Sequence, residues 1–368
     1  LQFGQQNKPR QFARWTWIYF LYYAGLIAWA RRRIAASSGI VVLTLHRVLE
    51  DAELATTNSP SGMIVRKSTF ESLLNFLQKT FEVLPLSEKS PSWKQESSRL
   101  RMAVTFDDGW KDTSDVAFPL TEKSAIPMTV FVCPGLAGME SPFWPETVGA
   151  ARSAALESAE AAARFRLICG KIGLSGMAKI SSDASFLESV LVRLKDLSRL
   201  ERDLAVQEFA ELRSCSPSAI ASAKTDSTMT WDDTKKILGR GVQIGSHTQT
   251  HQILTTIPLE DAANELQGSK SSIEGRLGIA CPLFAYPNGS WSVDVAGLVG
   301  EAGYALGFAN SPGVWDATTN LRVIPRVNIW EGSLLGPTGT FSAAVFQYST
   351  IWRCYRAHAN GKKKQADG

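Results

Sequence analysis

The chain has few histidines, few cysteines and almost no net charge: four His, five Cys and a formal +4 in 368 residues. The cysteines (Cys133, Cys169, Cys215, Cys281 and Cys354) are scattered, odd in number and form no CxxC pair. Neither a disulfide scaffold nor a thiolate zinc site is indicated. The small excess of base over acid, concentrated toward the two ends, excludes a nucleic-acid groove, which needs basic residues clustered on one face. No internal repeat or long low-complexity tract occurs. What is there is ordinary for a folded protein, with 44% hydrophobic and 20% charged residues. Enough apolar surface exists for a large core, which excludes a disordered chain. At about 150 residues per domain the length suits two domains, or one barrel of about 200 to 250 residues with additions.

Trp15 to Ala30 carries no charge and is bracketed by Lys8, Arg10 and Arg14 before it and Arg31, Arg32 and Arg33 after it. As one helix it would span about 24 Å, short of the roughly 30 Å hydrocarbon core of a bilayer. Three arginines where a small-residue cleavage site would stand argue against an export signal. The segment reads either as an interfacial anchor at an anionic membrane surface, with contact through residues 12–33, or as a helix packed on the body of the protein.

From residue 40 onward, short β-rich runs alternate with helical or turn-rich stretches, the pattern of a parallel sheet with crossovers. Seven runs are expected as strands: Ile40 to Leu45, Met102 to Phe106, Met128 to Val132, Val242 to Gly245, Leu283 to Tyr286, Ala305 to Phe308 and Arg322 to Ile329. The last contains Pro325 and should be an edge or bulged strand. A helix should open at Ser68 with Phe70, Leu73, Leu74 and Leu77 on one face, followed by a polar loop through Pro91 and Trp93. Another should run from Pro258 to before Gly275. The roughly ninety residues between the third and fourth runs exceed one crossover. Their content is helical, and Thr230 with Asp233 reads as an N-cap after them. The organisation expected is an N-terminal anchor helix (1–39), a barrel in two pieces (40–135 and 231–330), a helical insertion (136–230), and a C-terminal helix with a disordered basic tail (331–368).

Polar residues fall at or just past the strand ends: His46, Asp107 with Asp108, His247, Asn288 and Arg326. In an α/β barrel those ends form the active face. Two adjacent carboxylates repel unless one binds a cation or a proton. Two histidines four apart, His247 and His251, can present imidazoles on one side of a helical turn, the spacing a metal needs. Together these residues offer a His, His, Asp set with an open position for water.

Thr105-Phe-Asp-Asp-Gly109 and His247-Thr-Gln-Thr-His251 resemble the first and second signatures of the NodB-like polysaccharide deacetylases. The resemblance covers about residues 40 to 330 apart from the insertion. It implies a distorted (β/α)7 barrel, Asp107 as catalytic base, and Asp108, His247 and His251 as ligands of a divalent metal, zinc first, with cobalt or nickel as alternatives. Phe284-Ala-Tyr-Pro-Asn-Gly289 resembles the third signature and implies that the backbone N–H at Asn288 faces the oxyanion. Ala285 stands where many members have an arginine that clamps the base, a position Arg326 would fill from the last strand. Most members take the general acid from a late histidine, here His358 among arginines. His46, at the end of the first strand as in circularly permuted members acting on N-acetylglucosamine polymers, is the better candidate, protonated with help from a neighbouring carboxylate. Trp144, Trp291 and Trp330 are candidates for stacking on sugar rings.

The expectation is a hydrolase removing N-acetyl or O-acetyl groups from a bacterial polysaccharide or its lipid-linked precursor. The alternatives are a small-amide C–N hydrolase of the same fold and a non-catalytic glycan-binding protein that keeps the metal. The basic, apolar N-terminus favours membrane association at the cytoplasmic face, with a periplasmic or envelope location as the other option.

Overall fold

A computed structural model of the chain describes residues 8–87, 99–140, 143–174, 180–213 and 225–366. The loop expected through Pro91 and Trp93 lies outside the described residues.

The uncharged N-terminal stretch is two helices rather than one. α1 (Lys8–Tyr23) and α2 (Leu26–Ala36) meet at Gly25, whose φ of 76° is a left-handed conformation that glycine adopts without a Cβ penalty. They also do not stand apart from the body. Ala30 and Ile34 belong to the main hydrophobic core, and Ile18 packs with Ala344 and Val345.

The strands follow in chain order: β1 (Ile40–Leu45), β2 (Arg47–Leu49), β3 (Ile64–Arg66), β4 (Glu82–Val83), β5 (Arg101–Phe106), β6 (Met128–Val132), β7 (Val242–Ser246), β8 (Leu283–Ala285), β9 (Leu306–Phe308) and β10 (Val327–Asn328). All pairings between them are parallel, in the order β10-β1-β5-β6-β7-β8-β9, with β4 also on β5 and a separate β2-β3 pair. The expected last strand is split around Pro325. Ile324 bridges Phe308 of β9 while Val327 pairs with Leu43 of β1, so this one segment spans from one sheet edge to the other. A proline cannot donate to the ladder, which is why pairing breaks there. The architecture is the distorted (β/α) barrel expected.

Helices α3 (Lys67–Thr80), α4 (Phe118–Lys123), α9 (Trp231–Ile237), α10 (Leu259–Leu277) and α11 (Val293–Glu301) join the strands. α3 buries Phe70, Leu73, Leu74 and Leu77, and α10 ends at Gly278 in a left-handed cap. Thr230 and Asp233 form a reciprocal capping box at the start of α9. β1 and β5 are buried along their whole length, as parallel strands covered on both faces must be. Their alternate residues still divide. Val41, Leu43, Leu45, Met102, Val104 and Phe106 pack in the large core with the helices, whereas Ile40, Val42 and Ala103 join Phe131, Ala285, Phe308 and Ile324 in a second core inside the barrel.

Between β6 and β7 stand α5 (Trp144–Glu157), α6 (Ala159–Lys171), α7 (Ala184–Lys195) and α8 (Arg199–Leu212), packed on a core of their own that includes Phe165, Val190, Leu194 and Phe209. α5 lies so close to the barrel loops that a Cβ at Gly149 would stand 2.5 Å from the Asn58 carbonyl oxygen. After β10 come α12 (Ala343–Gln347), a π-helical turn at Tyr348–Trp352, and α13 (Arg353–Ala366). The helix thus continues to Ala366, through most of the tail expected to lack structure.

Candidate metal centre and its surroundings

Side chains alternate along a strand, so the residue two steps past an inward-facing position also faces inward. Thr44 and Thr105 point inward and their hydroxyls lie 3.3 Å apart. Two residues further on each strand stand His46 and Asp107. The register pairs Leu45 with Phe106, which sets His46 and Asp107 side by side at the rim. On β7, a Cβ at Gly245 would strike the inward Phe131 ring at 2.6 Å, and the inward parity then falls on His247. Three strands therefore deliver an imidazole, a carboxylate and a second imidazole to one mouth.

Asp108, His247 and His251 form the one group of three potential metal ligands found among the described residues, their ligand atoms all within 4.8 Å of one another. Asp108 Oδ1 lies 3.5 Å from His247 Nε2 and 3.3 Å from His251 Nε2. The other atom of two of these groups is already engaged. His247 Nδ1 is 2.8 Å from the Ala285 carbonyl oxygen, and the Trp110 indole N–H donates to Asp108 Oδ2 at 2.9 Å. Such outer contacts orient a ligand and leave its free atom for the ion. The donor set suits a divalent cation of the zinc type.

The His247–His251 pair does not sit on a helical turn. Residues 247–253 are irregular, and the two rings converge, centroids 5.1 Å apart, because Thr248 and His251 take φ of 67° and 61°. Asp108 and Asn288 share this left-handed conformation, so four of the six described non-glycine residues with positive φ fall in these rim loops. Backbone held in that sparsely populated region is typical of functional sites.

Arg326 grips Asp107 with two parallel bonds, Nη1 to Oδ1 and Nη2 to Oδ2, both 2.7 Å. Its Nε donates to the Ala309 carbonyl and Nη1 also reaches Thr105 Oγ1. The split of the last strand at Pro325 puts this guanidinium inside the barrel. Burial pushes the Asp107 carboxyl up, but Arg326 and then His247 outweigh it, so its pKa lies below the ordinary value. Asp108 is held well below the ordinary value, its burial overcome by hydrogen bonds from His247 and His251. His247 is raised, because Asp107 and Asp108 outweigh its own burial.

His46 behaves differently from expectation. Burial lowers its pKa, and the pull of Asp108 and Asp107 in the other direction does not compensate. The charged imidazole is thus disfavoured rather than favoured, the reverse of the expected direction. Its Nδ1 is buried and makes no hydrogen bond among the described residues. His358, the alternative late histidine, faces Asp316 with Nε2 3.2 Å from Oδ2. Asp316 follows Trp315, which pairs with Ile40 at the start of β1, so His358 sits at the opposite end of the barrel from His46.

Two aromatic residues at the centre carry no signature in the sequence. Trp110 packs at a tilt against Phe143 with ring centroids 4.7 Å apart, and Phe143 meets the His251 ring edge-on at 5.0 Å. Phe143, which the sequence reading did not single out, is the insertion residue against the centre. Trp144 packs on the insertion's own core. Trp330 is half-buried against Gly332, Trp291 is exposed, and Asn288 is exposed on the turn Pro287–Gly289 after β8. Behind Trp110, the buried Arg47 guanidinium lies 4.3 Å over the indole and binds Asp112 at 2.9 Å and Asp226 at 2.5 Å. Asp226 lies near the end of the insertion, and Glu146 of α5 accepts from Ser59 in the same cluster. Desolvation raises Asp112 to about 6 and Glu146 to about 8.

Residues 217–307 match the family model described as polysaccharide deacetylase. No curated protein matches the sequence at a significant level. Among solved structures, the Streptococcus pyogenes deacetylase PplD in complex with acetate superposes with a TM-score of 0.51 at 17% identity, covering 80% of this chain and 94% of that one. BC0361, a polysaccharide deacetylase from Bacillus cereus, gives 0.51 at 15% identity over 85% of this chain and 68% of that one. At these identities the structural likeness is one of fold.

Proposed function

We propose that this chain, in which residues 217–307 match the polysaccharide deacetylase family model, is a metal-dependent hydrolase that removes N-acetyl groups from amino sugars of a bacterial polysaccharide or its lipid-linked precursor. The observation that carries the reading is one juxtaposition: a His, His, Asp ligand set beside a carboxylate that is not a ligand and is clamped by Arg326. A hydrolase needs both parts, one to polarise and one to take a proton.

A divalent ion, zinc by its donor set, held by Asp108, His247 and His251 would polarise the acetyl carbonyl and acidify water at the site. Asp107 accepts a proton as water adds to the acetyl carbon. Its lowered pKa keeps it ionised for that task, and the Arg326 fork fixes the direction of its lone pairs. The C–N bond then breaks, and the departing nitrogen takes its proton from His46. Because burial disfavours the charged form of His46, it takes up that proton from solvent water and passes it to the departing nitrogen, while the proton of the attacking water stays on Asp107. The backbone at Asn288 is the candidate N–H donor to the oxyanion. Phe143 and Trp110 shield the ligand side from water, which strengthens each of these charge interactions.

The test is acetate release from N-acetylglucosamine oligomers by the purified protein, with and without chelator. Chelator-sensitive release, restored by added zinc, supports the reading. Hydrolysis of small cyclic or linear amides with no acetate from any acetylated oligosaccharide would replace it with the small-amide activity.

A further inference from the structure

α1 and α2 have two faces of different character. Ile18, Leu21, Ile27, Ala30 and Ile34 are buried against the body of the protein. The opposite side of α1 leaves Phe12 73%, Trp17 50%, Phe20 56% and Tyr23 79% exposed, and Leu26 and Trp29 of α2 are also exposed. Trp17 and Phe20 stack with ring centroids 5.7 Å apart. Single exposed apolar residues are ordinary, but consecutive turns of aromatic side chains in water mark an interaction surface.

The charge around this surface has one sign. No Asp or Glu occurs from Leu1 to Leu49 or from Gly332 to Ala366. α2 and α13 meet through Trp29 and Tyr355, with ring centroids 5.1 Å apart, so the two carboxylate-free segments form one side of the molecule. Arg14, Arg32, Arg33, Arg353 and Arg356 are exposed on it. Among the described residues no helix is long and apolar enough to cross a membrane. With 16 and 11 residues, α1 and α2 suit lying in the plane of an interface, where Trp and Tyr rings sit at headgroup level and arginines meet anionic lipid. α1 also touches the segment leaving the active end of β10, through Tyr19 and Ser342 hydroxyls 3.1 Å apart.

We propose that the exposed aromatic side of α1, with the arginines of α2 and α13, docks the protein on an anionic lipid bilayer without crossing it. The occupant is a bilayer rather than a second copy of the chain, because α1, α2 and α13 contribute arginines and no carboxylate of their own, and two copies would bring arginine against arginine. This inference is independent of the hydrolase reading.

The experiment is co-sedimentation of the full chain with vesicles of phosphatidylcholine and phosphatidylglycerol, and with phosphatidylcholine alone, at low and high salt. Binding should be confined to the anionic vesicles and weaken with salt. The Arg32→Glu/Arg33→Glu variant should lose at least tenfold in affinity. A Phe12→Ser/Trp17→Ser/Phe20→Ser/Tyr23→Ser variant should lose binding while keeping its circular dichroism melt. Should that variant not fold, quenching of tryptophan fluorescence by brominated lipid in the unaltered protein decides the same point. Absence of binding to anionic vesicles at low salt overturns the proposal. So does a dimer, seen by sedimentation without lipid, that the arginine variant leaves intact and the aromatic variant breaks.

Discussion

The indole N–H of Trp110 donates to Asp108 Oδ2 at 2.9 Å, so the outer oxygen of a candidate metal ligand is held by a side chain two residues along the same loop. Arg47 lies over that indole ring and is itself fixed by Asp112 and Asp226. The ligand carboxylate is thereby tied, through one ring and one guanidinium, to the end of the helical insertion. Removing the donor without removing the ring isolates this contact. Trp110→Phe should fold and retain the ring contact with Phe143, yet lose about 10- to 100-fold in zinc affinity, the usual cost of an outer-contact mutation. Competition with a chromophoric chelator measures it, and unchanged affinity would make Trp110 a packing residue only.

The ligand and base roles separate by metal content. Asp108→Ala, His247→Ala and His251→Ala should each lose bound metal, since three protein ligands leave no spare donor. Asp107→Asn should keep it while turnover falls by about 10² or more, because an amide holds the geometry but cannot accept the proton. Arg326→Lys should also keep metal and lower the rate, since a lysine cannot form the two-pronged contact. Elemental analysis beside acetate release checks all five variants. Loss of metal from Asp107→Asn equal to that of the ligand variants would show the roles to be misassigned.

The buried histidines should titrate in opposite directions. In the metal-free protein, ring-proton NMR should place His46 below the ordinary histidine value, because burial opposes its charge, and His247 above it, because Asp107 and Asp108 favour its charge. Metal must then displace a proton from His247, so affinity should rise with pH through that titration. His46→Ala should keep the metal, slow amide substrates and spare aryl acetates, whose leaving groups need little protonation. His358→Ala, at the far end of the barrel, should change none of these.

Glu146 gives the fold a pH dependence of definite sign. Its folded-state pKa is raised from 4.5 to about 8, so between those values the folded protein binds the proton that the unfolded chain has released. The group's contribution is full below pH 4.5 and is lost as pH rises through about 8. Glu146→Gln, which keeps a partner for Ser59, should flatten this decline, which amounts to a few kcal/mol at about 1.4 kcal/mol for each tenfold difference in proton affinity between the folded and unfolded states. Chemical denaturation at a series of pH values reads it directly. Equal slopes for the two proteins would mean that Glu146 is ionised in the fold.

Runs of β-branched and apolar residues dictated a parallel sheet, because strand type depends on local composition that any short window of residues carries. The parity of those same strands was enough to bring His46, Asp107 and His247 to one rim, since alternation is a property of the backbone. The long helical stretch between β6 and β7 announced an insertion by its length alone. Arg326 was assigned to Asp107, 219 residues away, only through the family resemblance; its geometry depends on a strand splitting at Pro325 and aiming the guanidinium inward, which no local window carries. Nor could local sequence place Trp110 between Asp108 and Arg47, or bring Phe143 against His251, since neighbouring aromatics look alike until packing assigns each a side. The protonation of His46 was read with the wrong sign for a related reason. Sequence shows which carboxylates stand nearby, but desolvation is set by how completely the folded chain excludes water, and here that exclusion outweighs both carboxylates.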